Sequence, residues 1–325
     1  MTTTTRFSTD FDFLVGSWDV THQRLQGILA GGTEWQTMTG SQATARTYLD
    51  GAISVDEITF PSAGASGMSL RLYSPGTNEW SIYWVSSRDG RLGPPVRGNW
   101  SGSGCRLVGD DVMPDGKRVR ATYEWSVYGP DTAQWQQAYS DDGEQTWEKN
   151  WVMDFSRTST EPVDVPADHL PKLTGDFDFL TGTWKVRNRK LRSRLTGCTD
   201  WDEFENIFEA RTHFNGGVSI DEGAFPHPSP YRGMTFRVYD IEAREWALHW
   251  LDSRNLRMDE APVRGRFENG VGDFLAEDTH NGIPIVCRYR WTVLSDESAT
   301  WEQAFSTDDG KTWETNWTME ETRIA

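Results

Sequence analysis

The chain has 325 residues and carries 32 Lys+Arg against 49 Asp+Glu, a formal net charge of −17. With its basic residues scattered, so acidic a surface repels nucleic-acid phosphates and anionic membrane, and neither is an expected partner. The cysteines, Cys105, Cys198 and Cys287, are odd in number and far apart, which argues against a disulfide framework or a zinc site. The opening MTTTTRFSTDFDF has neither a basic nor an apolar signal region, and no run approaches the length of a membrane span, so a soluble, cytoplasmic protein is expected.

Read from the N-terminus, the chain soon repeats itself. FDFLVGSWDV, Phe11 to Val20, returns as FDFLTGTWKV, Phe177 to Val186. Trp35 then matches Trp201, ARTYLDGAISVDE matches ARTHFNGGVSIDE, and GMSLRLY matches GMTFRVY. EWSIYWVSSR, PPVRG and TWEKNW recur as EWALHWLDSR, APVRG and TWETNW, at an offset of 165 to 167 throughout. So long a period means two tandem domains and not a solenoid. The expected boundaries are a first domain over 1–157, a linker over 158–175 and a second domain over 176–325. Three prolines in the linker, Pro162, Pro166 and Pro171, favour a stiff, extended spacer.

Within each copy the hydrophobic period is two. Met234, Phe236 and Val238 alternate with polar or aromatic partners, as do Trp246, Leu248 and Trp250. Roughly eight to ten strands per copy follow, with a helical turn near Phe177 to Leu180 placed to plug the end before the first strand. Sequential antiparallel strands in this number close best as an up-and-down barrel, because closure removes exposed edges. The fold class is therefore all-β, with two tandem antiparallel up-and-down barrels.

Each copy ends in a segment related to the Asp-box S-x-D-x-G-x-T-W: SDDGEQTW at Ser140 and STDDGKTW at Ser306. A propeller repeats this box at blade spacing of about 40–50 residues. Here it occurs once per copy, and the first reads as imperfect, with an extra residue between Gly143 and Thr146. It is taken as a hairpin turn and not as a sialidase signature.

The F-D-F-L-x-G-x-W-x-V opening, the following Trp, S-[VI]-D-E and E-W-x-[IL]-x-W together resemble a bacterial group of calycin-like, lipocalin-like barrels labelled DUF1579, and the resemblance covers nearly all of both copies. It implies a barrel with an interior cavity and says little about chemistry. The two-barrel arrangement is also similar, in architecture alone, to carotenoid hydratase-like proteins and to lipocalin-like cyclases of natural-product pathways. Haem binding of the nitrobindin kind is disfavoured, since neither copy has a histidine in its last strands.

Six histidines, His22, His169, His213, His227, His249 and His280, do not recur between copies and show no metal-ligand spacing. No cofactor fingerprint is present, so no cofactor and no metal is expected. The polar residues present in both copies attract more attention. Glu57 and Glu222 follow the apolar alternations Ile53-Val55 and Val218-Ile220, which would bury them as general acids, with Asp56 and Asp221 on the opposite face. The competing reading is an ion pair from each glutamate to Arg71 or Arg237. Arg88 and Arg254, beside Trp84 and Trp250, suit stabilisation of negative charge on a ligand, or closure of the barrel end. Arg71 with Tyr73, Arg237 with Tyr239, Gln137, Gln303 and His249 complete the candidate ligand-binding set.

The expected partner is a small apolar or amphipathic molecule held in a Trp-rich cavity. Two readings compete. One is a cofactor-independent cyclase, isomerase or hydratase acting on a polyketide or terpenoid. The other is a non-catalytic binding or carrier protein, and a module with filled barrels is a third, weaker possibility.

Overall fold

The computed structural model describes residues 6–226, 229–259 and 261–325. It divides into two compact units after Leu170. The first contains β1 (Gly16–Leu25), β2 (Trp35–Tyr48), β3 (Ile53–Phe60), β4 (Ala65–Ser74), β5 (Glu79–Ser86), β6 (Val96–Ser101), β7 (Gly104–Val112), β8 (Arg118–Gly129), β9 (Thr132–Ser140) and β10 (Glu148–Ser159). The second contains β11 (Gly182–Leu191), β12 (Trp201–His213), β13 (Val218–Phe225), β14 (Tyr231–Asp240), β15 (Glu245–Asp252), β16 (Val263–Glu268), β17 (Val271–His280), β18 (Ile283–Ser295), β19 (Ser298–Ser306) and β20 (Glu314–Arg323).

Each strand pairs antiparallel with its sequence neighbour, and the last returns to the first. In the first unit Trp18 lies opposite Arg157 and Val20 opposite Phe155. Trp184 lies opposite Arg323 in the second. Both sheets are thus closed ten-stranded barrels. Closure pairs the backbone groups that an open sheet would leave along its two edges.

One end of each barrel is plugged by the residues before its first strand. A single 3-10 turn, Asp12–Leu14, carries Phe11 and Leu14 into the first core. Its counterpart Asp178–Leu180 does the same with Phe177 and Leu180. Phe11 meets Trp80 edge-on at 4.7 Å between centroids, and Phe177 meets Trp246 at 4.8 Å. Such aromatic pairs contribute about 0.5–1.5 kcal/mol beyond their burial.

The G-x-W motif fastens this plug. Gly16 and Gly182 have φ of 122° and 123°. A Cβ on them would come within 2.4 Å of Ser159 O and 2.5 Å of Ala325 O, so only glycine fits. Two residues on, Trp18 Nε1 donates to Leu14 O at 2.8 Å and Trp184 Nε1 to Leu180 O at 2.7 Å. Arg157 stacks on Trp18 at 4.1 Å and Arg323 on Trp184 at 4.5 Å. Arg157 also donates to the carbonyls of Val15 and Phe13, and Arg323 to those of Thr181 and Phe179. The chain just before the first strand is thereby tied to the last strand.

The proline-bearing stretch has no helix or strand, but it does not run free. β10 continues to Ser159, past the expected boundary at 157. Beyond it, Glu161 O accepts from Ser17 Oγ at 3.0 Å, and Pro162 O accepts from Arg46 at 2.8 Å. His169 Nε2 lies 3.0 Å from Ala65 O. The stretch is thus hydrogen-bonded to loops and strands of the first barrel.

The two Asp-box segments join β9 to β10 and β19 to β20. Asp308 accepts from Thr312 N at 2.8 Å and from Thr312 Oγ1 at 2.7 Å, while Ser306 Oγ accepts from Gly310 N at 2.8 Å. In the first copy Asp142 receives Thr146 N and Oγ1 at 3.0 and 2.7 Å, and Ser140 Oγ receives Glu144 N at 2.9 Å. These bonds hold both aspartates down to about 2. The first turn has no inserted residue. Its glycine stands one place earlier, and Glu144, at φ 68°, takes the left-handed position that Gly310 fills at φ 81°. Among the described residues, no helix is long and apolar enough to cross a membrane.

The arginine clamp is open to test. Arg323→Ala strands two backbone carbonyls, and should lower the stability of the second barrel by about 2–3 kcal/mol, as lost hydrogen bonds to a charged donor do. Urea unfolding followed by Trp fluorescence reads this, and a loss below about 0.5 kcal/mol would contradict a clamp.

Candidate functional site

Strand alternation turns one face of every strand into the lumen. β5 sends in Trp80, Ile82 and Trp84, and β15 sends in Trp246, Leu248 and Trp250. Above the plug a cavity remains in each barrel, of about 490 Å³ in the first and about 240 Å³ in the second. Both are bordered by tryptophan: Trp84, Trp125, Trp135 and Trp151 in one, and Trp250, Trp291, Trp301 and Trp317 in the other. The barrels are not filled.

A buried ion pair forms part of each lumen wall near the plug. Arg71 pairs with Asp56, and Arg237 with Asp221. The guanidinium of Arg71 lies 4.9 Å from the Phe11 ring and 5.6 Å from Trp125. Arg237 sits 5.0 Å from Phe177 and 5.7 Å from Trp291. Higher in the lumen, Trp84 and Trp250 lie across glycines. A Cβ at Gly67 would be 2.0 Å from Trp84, and one at Gly233 would be 2.3 Å from Trp250. The absent side chain is what lets each indole approach the neighbouring strand so closely.

Several expected residues border the cavities: Arg71, Trp84, Arg88 and Gln137 in the first, and Arg237, Trp250, Arg254 and Gln303 in the second. Gln303 Nε2 donates to Cys287 Sγ at 3.7 Å. Arg88 and Arg254 stand at the open rim. Arg88 donates to Ala63 O at 3.2 Å. Arg254 pairs with Asp252 at 2.7 Å and lies 3.7 Å from the Tyr231 ring. Tyr73 and Tyr239 pack on Trp80 and Trp246 at 5.3 and 5.5 Å, among the plug aromatics rather than along the cavity.

Three expectations about facing need correction. Glu57 and Glu222 point out of the barrels, because it is Asp56 and Asp221, one residue earlier, that face the lumen. The partners of Arg71 and Arg237 are accordingly those aspartates, and Glu222 pairs with Arg232 at 2.6 Å. His249 likewise lies on the outer face of β15, between the inward Leu248 and Trp250, where burial pushes it down to about 4. The cause is common to all three. β3 is buried over nearly its whole length and β15 over most of it, so apolar alternation there does not mark the inside. His227 lies outside the described residues.

The sequence reading also passed over a residue that sets the second lumen apart. Trp317, Met319 and Glu321 point inward from β20, where the first barrel has Trp151, Met153 and Phe155. Glu321 is 2% exposed, and neither carboxyl oxygen has a hydrogen-bond partner among the described residues. Burial, and then the neighbouring Asp221 charge, push its carboxyl well above the usual range, against a smaller pull from Arg237. A carboxylic acid that keeps its proton becomes a hydrogen-bond donor to whatever enters the cavity. The signal was present in the repeat, as a Phe-to-Glu exchange at lumen parity.

His22 is the converse feature of the first barrel. It is fully buried on the lumen face of β1, accepts from Trp151 Nε1 at 3.2 Å through Nδ1, and is pushed down to about 4 by burial. Its ring is therefore neutral, with the proton on Nε2. In the second barrel Asn188 takes this place and accepts from Trp317 Nε1 at 3.0 Å.

No family model and no curated protein matches the sequence. Among solved structures, the chain is similar to a DUF3598-family protein of unknown function from Nostoc punctiforme, at 10% identity and a TM-score of 0.32, over 98% of this chain and 99% of that one. A second likeness is to a Trp-176-Ala mutant of transferrin binding protein B from Haemophilus parasuis, at 7% identity and a TM-score of 0.19, over 94% of this chain and 75% of that one. At these scores neither likeness bears on function. The fold rests on the strand pairing itself.

Glu321 predicts a pH dependence. Unfolded, it ionises around its ordinary 4.5, whereas folded it keeps its proton to well above that value. The unfolded state thus sheds the proton first, and this residue's contribution to stability falls as pH rises through that window. The stability of Glu321→Gln relative to wild type should therefore increase between about pH 5 and about pH 8 in paired urea titrations. An equal difference at both pH values would contradict a protonated, buried Glu321.

Proposed function

We propose that the protein binds a small, largely apolar molecule inside its barrels. The observation that carries this reading is the pair of tryptophan-walled cavities left open above the aromatic plugs. Small-molecule sites are usually apolar-walled cavities of about 300–1,000 Å³ with a few convergent polar groups; the first cavity lies within that range and the second just below it. The apolar walls supply affinity by burial, and the Asp–Arg pair, Gln137 and Gln303 supply orientation.

The test uses N-phenyl-1-naphthylamine, a neutral fluorophore, excited by energy transfer from the lumen tryptophans. Saturable binding with a Kd on the order of 10 μM is expected for an apolar ligand of this size. Gly233→Ala drives a methyl group into the Trp250 ring, and should weaken binding to the second lumen about tenfold through a shifted indole. Absence of any saturable signal would remove the reading.

A second reading is a cofactor-independent isomerase, cyclase or hydratase acting on a polyketide- or terpenoid-like substrate. What favours it is Glu321, a buried carboxyl held well above its ordinary range beside the Asp221–Arg237 pair in one barrel only. It replaces Glu57 and Glu222 as the candidate acid. A held proton at a lumen wall suits protonation of a carbonyl or alkene, with the walls fixing the reactive conformer. The molecule that co-purifies from the native host, identified by native mass spectrometry, would be returned to wild type and Glu321→Gln in D2O. Deuterium uptake or rearrangement lost in the variant supports catalysis, and unchanged recovery from both supports binding alone.

A further inference from the structure

The open end of the second lumen carries a group of cations. Lys190 ends the inward row of β11, Arg194 follows in the next loop, and both border the cavity with Arg254. Lys190 and Arg194 are half-buried. Lys190 Nζ lies 3.9 Å from the Trp317 ring centre, and the Arg194 guanidinium lies 5.3 Å from that of Phe305. Aromatic faces therefore hold both heads. Unlike Arg254, neither is in ion-pair contact with a carboxylate among the described residues.

Three of the nearby acids are already engaged. Asp252 pairs with Arg254 at 2.7 Å, Asp221 with Arg237, and Glu314 accepts Leu195 N at 2.8 Å. Burial, and then the charges of Arg194 and Arg254, push Lys190 down to about 8, which leaves it mainly protonated near neutral pH. Partly desolvated like charges at one opening repel, and an anion placed between them relieves the repulsion. In a chain with net charge −17, this arrangement stands out. The first barrel arranges its cations differently: Arg24 stands where the second has Lys190, Ile28 stands where it has Arg194, and Arg91 joins Arg88 on the cavity border.

We propose that the second lumen takes a small amphipathic anion, its carboxylate, sulfonate or phosphate head bridging Lys190 and Arg194 at the mouth and its apolar body lying on Trp317 and Trp250. This rests on the lumen-binding reading and names the ligand class. The head stays near solvent, so its desolvation is partial. The tail reaches toward Arg237 and Glu321, where a carbonyl or hydroxyl would find donors.

The test compares 1-anilinonaphthalene-8-sulfonate with N-phenyl-1-naphthylamine, which shares its apolar body but lacks the sulfonate. In wild type the anion should bind the second lumen about tenfold more tightly than the neutral probe, the size of one charge-assisted contact. Added salt should narrow the gap. Lys190→Met and Arg194→Met keep apolar bulk, and should abolish the advantage while leaving neutral-probe binding within about twofold. Retained neutral binding also shows that the variants fold. In competition, decanoate and decyl phosphate should each displace the anionic probe better than decanol. Equal affinities for the two probes, an advantage that survives both substitutions, or decanol competing equally well would overturn the inference and leave lumen binding intact. Failure of both probes to bind would remove the lumen-binding reading and this inference together.

Discussion

Pairing the first strand to the last is the constraint from which the remaining structure follows. An eight-stranded barrel has an interior that side chains just fill, and the diameter grows with each added strand. At ten strands the interior needs larger side chains, a plug, or a void, and both barrels use all three. Tryptophan and phenylalanine occupy the plugged end, the 3-10 turn supplies the stopper, and the rest stays open. The arginines of the last strands, Arg157 and Arg323, hold that stopper from the far side of the closure.

Closure also explains why charge is tolerated deep inside. An arginine in an apolar lumen is costly unless it is paired, and the register of β3 against β4, and of β13 against β14, delivers an aspartate to each one. With the pair preserved in both copies, divergence falls on the surrounding wall. Phe155 against Glu321, His22 against Asn188, and Ile28 against Arg194 change what each lumen presents, and the two cavities differ in volume, about 490 against about 240 Å³. The same scaffold thus presents two different interiors.

How much of this was legible in the sequence depended on whether a strand has one wet face. Strands with an exposed outer face, such as β1 and β11, show clean alternation, and their lumen residues follow from it. β3, β4 and β15 are largely buried on both faces, so the pattern around Glu57 or His249 has no polarity to read, and the facing came out inverted. The duplication, the strand number and the aromatic lining were visible because repeats and periodicity are local. The upward push on the Glu321 carboxyl was not, since it arises from strands far apart in the chain meeting across a lumen. Comparing the two copies at equal parity recovers part of what one copy hides, as the Phe-to-Glu exchange does.

The hairpin turn that closes each barrel shows how such comparisons should be made. Ser140, Asp142, Thr146 and Trp147 superpose in sequence on Ser306, Asp308, Thr312 and Trp313 without a gap, although the glycine moves by one place. Side-chain oxygens gripping backbone amides define the turn, and the left-handed position accepts glutamate as well as glycine. A search pattern anchored on glycine would pass over the first copy. One built on Ser-x-Asp-x-x-x-Thr-Trp finds both, because it follows the hydrogen bonds.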